Sequence, residues 1–490
     1  MEYTLESLQE DKVFYYFSQI SNIPRESGNE KEISDYLKDF ALERNLIVEQ
    51  DEYLNIKIKK PPTVGYENAP VVIIQGHMDM VCEKNEGTIH DFKKDPLRLI
   101  VSGDDLYADG TTLGADNGIA VAYALALLDA QDIPHPGLEI LITTDEEVGL
   151  TGALEMDVSD LKGQYFINLD TEEEGEIVIS CAGGLRALLE LPLVFDELDD
   201  AEHNIVQITI KGLKGGHSGM EIDKNRANAI ILLGIVLSEL HEVIDLNVCH
   251  LCGGLKDNVI PRESFVTLHV QKDQMDLFNE TMSKIIKTLK DECKKNDPDV
   301  VFMIDLLEEK EEEKGSPSIN KETLEKVVFL LSALPNGVQT MSAEIDDLVE
   351  SSINLGKLYM DKNSLYFEFA ARSSVKSKKY RMVQLLKQFA KNVGGTCIES
   401  KDYPEWPIKS NSKFLEICSK TYENMYGNKP LIKGIHAGLE GGVFLEKLPH
   451  LEAVSIGPDT FDVHSPDERI SISSVQRTWQ YLLAILKNLV

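Results

Sequence analysis

Leu138-Glu139-Ile140-Leu141-Ile142-Thr143-Thr144-Asp145-Glu146-Glu147-Val148-Gly149 begins as a short apolar run and ends on two adjacent carboxylates. Such a run, bounded by polar residues, reads as a strand. Successive side chains on a strand point to opposite faces, so at its frayed end one carboxylate can hold a metal ion while its neighbour faces water bound to that ion. That is the layout of a hydrolytic metal site. In a chain with 83 acidic residues, most Glu-Glu pairs are solvated turns, so the surroundings must decide.

Working outward, 70–75 is a buried strand, about 117–130 a helix rich in small residues, and 165–169 a further strand. Strands alternating with helices predict a mostly parallel α/β sheet whose ligands sit beyond the carboxyl ends of the strands. Upstream, 46–49 and 54–58 are strand candidates. Ser27-Gly28-Asn29-Glu30 has the capping-box pattern ahead of Ile33, Leu37 and Phe40 at helical spacing.

From about residue 186 the texture changes to strand 205–210, helix 227–240, strands 248–252 and 264–270, helix 277–293 and strand 300–307, a ferredoxin-like order. A charged break at 308–317 reads as a surface loop, followed by helix 321–334, strands 352–360 and 364–371, and helix 380–393 as a second, related half. The last stretch returns to α/β character with helix 414–425, strand 452–456 and helix 473–489. The expected organisation is therefore a discontinuous catalytic domain, 1–185 plus 396–490, interrupted by an inserted α+β lid, 186–395, of two ferredoxin-like halves.

A length of 490 residues calls for two or more domains. The formal charge of −34 repels phosphate backbones, and no basic stripe with interleaved aromatics offsets it, which excludes nucleic acid as the expected partner. No apolar run is long enough to span a bilayer, and the acidic start lacks the pattern of a secretory signal. Seven scattered cysteines argue for reduced thiols, and Cys249 and Cys252, a lone CxxC, read as core-facing strand thiols. The expected location is the cytoplasm.

The acidic and imidazole candidates fall just past apolar strands or at helix starts. His77 and Asp79 are two apart on an extended segment and share one side, so Asp79 can brace the imidazole. Asp116 opens the small-residue helix, Glu147 follows the 138–143 strand, Asp170 follows the 165–169 strand, and His464 lies beyond the 452–456 strand. Singly, each has a bland reading as a structural His or an N-cap Asp. Two imidazoles and three carboxylates at equivalent ends of one sheet suit two metal ions sharing a carboxylate.

The runs Ile23-Pro24-Arg25, Gly76-His77-Met78-Asp79, Leu113-Gly114-Ala115-Asp116-Asn117, Asp145-Glu146-Glu147, Asn168-Leu169-Asp170, Gly215-Gly216-His217-Ser218-Gly219, Asn258-Val259-Ile260-Pro261, Ala371-Arg372-Ser373-Ser374, His436-Ala437-Gly438-Leu439-Glu440 and His464-Ser465-Pro466-Asp467-Glu468 span most of the chain. In them the sequence resembles the dinuclear zinc peptidases of the aminoacylase and carboxypeptidase G type, in particular their Xaa-His dipeptidase branch. The resemblance implies one zinc on His77 and Asp170, a second on Glu147 and His464, Asp116 bridging both, Glu146 as general base and Asp79 orienting His77. A water shared by two zinc ions is acidified, and a neighbouring carboxylate can take its proton and pass it to the leaving amine. His217 would stabilise the oxyanion and Arg372 the free carboxylate of a short peptide. Asn258 and His436 are further candidate substrate contacts, each with a structural alternative. The implied activity is dipeptide hydrolysis. An N-acyl amino acid amidohydrolase or a tripeptidase using the same metals remains an alternative, as does, more remotely, a metal-binding protein without catalysis. Cobalt or manganese could replace zinc. A homodimer is left open.

Overall fold

All six positions of Val72–His77 and all six of Leu138–Thr143 are buried. β-Branched and leucine side chains cover both faces of these strands, as a parallel sheet enclosed by helices requires. The computed structural model describes residues 3–198, 203–307 and 317–489. It divides into two units: 1–181 with 406–434 and 439–490, and 182–405 with 435–438.

The first unit is built on an eight-stranded sheet in the order Ile47–Gln50, Ile56–Lys60, Leu138–Thr143, Val72–His77, Tyr165–Asn168, Glu452–Ser455, Glu176–Cys181, Leu431–Ile435. The central four strands are parallel, and antiparallel pairings flank them. Their register aligns His77 with Thr143 and Gln75 with Asn168, so the segments following these strands emerge at one edge of the sheet. The helix Ala115–Asp129 is buried on nearly every side, which its run of alanines permits. A Cβ at Gly76 would collide with Asn117 Oδ1 and Ala120 Cβ, so glycine lets this helix lie close against the strand. Each fully buried Val, Leu or Ile in this core contributes about 1.5–3 kcal/mol relative to exposure.

A separate four-stranded sheet joins Thr460–Phe461, Arg469–Ser471, Asp105–Ala108 and Leu99–Ser102. Its strands are too short for periodicity to reveal them. The pair Thr460–Phe461 and Arg469–Ser471 forms a hairpin with His464 in its loop.

The second unit holds a nine-stranded sheet. His203–Lys211, Ala229–His241, Asn247–Gly253, Ser264–Gln271, Met275–Cys293 and Val301–Leu307 form one ferredoxin-like half with the first and last strands adjacent. The other half takes its first strand, Gly183–Pro192, from ahead of that insertion and its last, Thr396–Tyr403, from beyond the helix Lys376–Val393. The main changes between units fall at 181/182 and 405/406, where 185/186 and 395/396 were expected, and 435–438 also belong to the second unit. Thr396–Tyr403 is mostly exposed and carries little apolar pattern, which hid it as an edge strand. Residues 308–316 of the charged break lie outside the described residues.

None of the seven cysteines is in a disulfide. Cys249 and Cys252 are half-buried on one strand, and burial pushes the Cys249 thiol up to about 12, far from a reactive thiolate. Among the described residues no helix is long and apolar enough to cross a membrane.

Candidate metal centre

The strand ends deliver the expected donors to one place. His77 closes its strand; its Nε2 lies 3.2 Å from Asp116 Oδ1 and 3.6 Å from Asp170 Oδ1. His464 Nε2 lies 3.1 Å from the other oxygen of Asp116 and 3.0 Å from Glu147 Oε1. Asp116 thus faces an imidazole with each carboxylate oxygen. Three donor triads, His77–Asp116–Asp170, Asp116–Glu147–His464 and His77–Glu146–Glu147, each keep their ligand atoms within 4.8 Å of one another.

The directions of Glu146 and Glu147 have a different origin from the strand alternation expected of them. The strand ends at Thr143, Asp145 turns through a left-handed conformation with φ 53°, and both glutamates sit in the short helix Glu146–Gly149. Adjacent residues on a helix diverge by about 100°, which also sends them to different partners.

The donor set suits divalent cations. Two carboxylates about 4 Å apart at an effective dielectric of about 20 repel each other by roughly 4 kcal/mol, so a cluster of four needs cations or protons. Without metal, protons do the work. Burial pushes Glu146 well above the ordinary glutamate range and raises Glu147 and Asp170. Burial also opposes charge on Asp116, but hydrogen bonds with His464 and His77 hold its carboxyl well below the usual range. The same contacts with Asp116 and Glu147 lift His464 to about 11. His77 is raised despite its burial by Asp116, Asp170 and Asp79. Mixed imidazole and carboxylate donors of this kind accept zinc and neighbouring divalent metals.

Behind the donors, Asp79 is fully buried and its carboxylate lies 3.4 Å from His77 Nδ1, which also contacts the Asp79 carbonyl at 3.1 Å. Its oxygens accept from the backbone N–H groups of Glu146 and Glu147 at 3.1 and 3.3 Å and from Ser27 Oγ at 2.8 Å. Ser27 therefore does not act in a capping box: the helix Lys31–Glu43 starts after Glu30 without a side-chain cap. The Glu440 carboxylate accepts from Gln75 and from Thr143 Oγ1, the latter at 2.6 Å. Asn168 continues this buried chain to Gln75 at 2.7 Å, and Ser455 to Asn168 at 2.5 Å, cross-linking four strand ends.

The other expected site residues belong to the second unit. Arg372 is buried near the end of Ser364–Ser373; its Nη1 donates to Tyr403 Oη at 2.6 Å and its Nη2 lies 3.4 Å from His217 Nε2. The Met220 N–H donates to His217 Nδ1 at 3.1 Å, which leaves the proton of neutral His217 on Nε2. Burial and Arg372 lower His217 to about 4, so it is neutral at pH 7. Asn258 lies in the adjoining loop, where its carbonyl accepts from the Ser218 N–H at 2.9 Å. His436 is buried and pairs with Ser352 Oγ at 2.7 Å, the environment of a structural histidine, and burial lowers it to about 3. Tyr403 carries no motif that could have marked it in advance.

The sequence profile of peptidase family M20/M25/M40 matches residues 73–488. The chain is 36% identical over 485 residues to the cytosol non-specific dipeptidase of Escherichia coli (strain K12), covering 99% of both chains. The crystal structure of aminoacylhistidine dipeptidase from Vibrio alginolyticus superposes with a TM-score of 0.90 at 36% identity, covering 99% of this chain and 98% of that one. A tripeptidase from Staphylococcus aureus shares the fold at 18% identity and a TM-score of 0.54 over 98% of each chain. With the profile spanning most of its length and this identity holding from end to end, the chain belongs to peptidase family M20/M25/M40.

Proposed function

We propose that this peptidase hydrolyses dipeptides at a pair of divalent cations, zinc foremost and cobalt or manganese as alternatives, held by His77 and Asp170, by Glu147 and His464, and by Asp116 between them. The observation that carries this reading is Asp116 itself, with one imidazole on each of its carboxylate oxygens. Bound there, such ions acidify water and polarise a peptide carbonyl. Glu146 is the general base: burial raises its carboxyl above the ordinary glutamate range, and from its place beside His77 and Glu147 it can take a proton from water and return it to the leaving amine. Asp79 holds His77 in one orientation and fixes the Glu146-Glu147 backbone.

In this proposal residues 182–405 form the substrate-recognition domain. The Arg372 guanidinium and the neutral His217 Nε2–H are two donors at 3.4 Å, an arrangement that an anionic oxygen completes. Arg372 fits the free carboxylate of a short peptide, and His217 a developing oxyanion. Asn258 is a further candidate contact; His436 holds its loop through Ser352.

A cytoplasmic location agrees with seven cysteines outside disulfides. The names of the two 36%-identical relatives differ in breadth, one non-specific and one for aminoacylhistidine, and we favour a broad dipeptidase that includes Xaa-His substrates. The test is a panel assay on metal-stripped protein titrated with each ion: Ala-His and other dipeptides, tripeptides and acetylated amino acids. Preferential cleavage of dipeptides supports the proposal. Preference for tripeptides or acetylated amino acids would assign the chain to the alternative substrate class.

A further inference from the structure

The helix Ala115–Asp129 begins after Gly114, a residue that offers no capping side chain. Four consecutive amides at this point, those of Leu113, Gly114, Ala115 and Asp116, donate instead to one distant carboxylate. Glu468 Oε2 accepts from Leu113 and Gly114 at 2.7 and 2.8 Å, and its Oε1 accepts from Ala115 and Asp116 at 2.8 and 3.2 Å. The Glu468 side chain is 2% exposed.

A Ser or Asp placed locally could cap such amides without help from elsewhere in the chain. Here the capping group comes from the hairpin loop that carries His464. The two contacts close a ring: the Asp116 carboxylate meets His464 Nε2, the chain runs from His464 to Glu468, and the Glu468 carboxylate returns to the Asp116 amide. Arg25, also 2% exposed, ties the same turn to the His77 segment by donating to the carbonyls of Gly114 at 2.6 Å and Met78 at 3.1 Å.

We propose that Glu468 is a positioning residue for the metal pair, setting the distance and angle between Asp116 and His464 by binding the backbone of one from the loop of the other. This inference rests on the metal-site reading above. Groups that orient metal ligands typically contribute about 10–100-fold to metal affinity, and a carboxylate gripping four amides leaves the turn little freedom. A purely structural cap would stabilise the fold and leave the geometry at the metals unchanged.

The test uses metal-stripped wild-type, Glu468→Gln and Glu468→Asp proteins, titrated with zinc by calorimetry and with cobalt by visible absorption, with circular dichroism to establish folding. Wild type should bind two ions per chain. Glu468→Gln sets an amide NH2 against backbone donors; the folded protein should bind at least one ion about 10–100-fold more weakly and show an altered cobalt spectrum. Glu468→Asp keeps the charge and should recover part of that loss. Wild-type affinity and spectrum in both variants would overturn the proposal while leaving the metal site intact. So would failure of both to fold without metal, since the clamp would then serve the fold. Should wild type bind fewer than two ions, or Asp116→Asn bind as wild type does, the metal-site reading itself fails.

Discussion

Asp79 and Glu146 are joined through backbone: the Glu146 N–H donates to one oxygen of the Asp79 carboxylate while the Glu147 N–H donates to the other. One buried side chain thus orients the His77 ring and the turn bearing both glutamates. Hydrogen bonds to a charged group contribute about 1.5–3 kcal/mol each, more than a neutral pair. Asp79→Asn keeps the shape but turns an NH2 group toward an N–H or toward the imidazole. It should reduce activity by about 10–100-fold, with weaker metal retention. Measuring kcat together with metal content checks this; an unchanged variant would show that Asp79 has no part in orienting the site.

Glu146 lies within ligand distance of His77 and Glu147, so its position alone is compatible with holding metal. A general base and a ligand differ in what their removal does. As the base, Glu146→Gln should keep two ions per chain and lose about 10²–10⁴-fold in kcat. Elemental analysis beside steady-state kinetics separates the roles: loss of an ion from the variant would make Glu146 a ligand.

Metal uptake should expel protons. In the metal-free protein Asp116 and Glu147 lift His464 to about 11, so this imidazole is charged at neutral pH and must deprotonate to bind metal, and His77 is shifted in the same direction. Affinity should therefore increase with pH, by up to about tenfold per unit for each proton released, until His464 titrates. The linkage to stability has the opposite sense. The raised His464 pKa contributes stability to the metal-free fold that is fully present below its ordinary value of 6.5 and is lost as pH rises toward about 11. Zinc calorimetry in buffers of different ionisation enthalpy measures the protons directly; no buffer dependence would contradict the assignment.

The candidate donors were legible because His77, Glu147 and Asp170 come at or just past strands of strong apolar pattern, whose parallel register carries their ends to one edge, and Asp116 opens a helix of small residues. The groups that hold the donors were not. Ser27 sits in a sequence pattern that also describes a helix cap, and only the fold shows its hydroxyl on Asp79. Glu468 acts on amides more than 350 positions away, and backbone donors leave no trace in residue identity. Tyr403 belongs to an exposed edge strand with little alternation to mark it. Local pattern thus pointed to the candidate donors, whereas the packing that orients them depended on contacts distant in sequence.

Arg372 should report on the substrate's free carboxylate. Its Nη1 is engaged by Tyr403 Oη, but its Nε has no hydrogen-bond partner among the described residues although buried. An unpaired guanidinium donor in such a place costs about 1–3 kcal/mol until an acceptor arrives. Arg372→Lys retains the charge and loses the fork that grips a carboxylate with two parallel bonds. The expected result is a rise in KM of roughly ten- to a hundredfold for dipeptides, the equivalent of about 1.5–3 kcal/mol, with a smaller change in kcat. C-terminally amidated dipeptides, which lack the anion, should be poor substrates of the wild type and lose little more in the variant. An equal loss on acids and amides would show that Arg372 serves the architecture of its unit rather than recognition of the carboxylate.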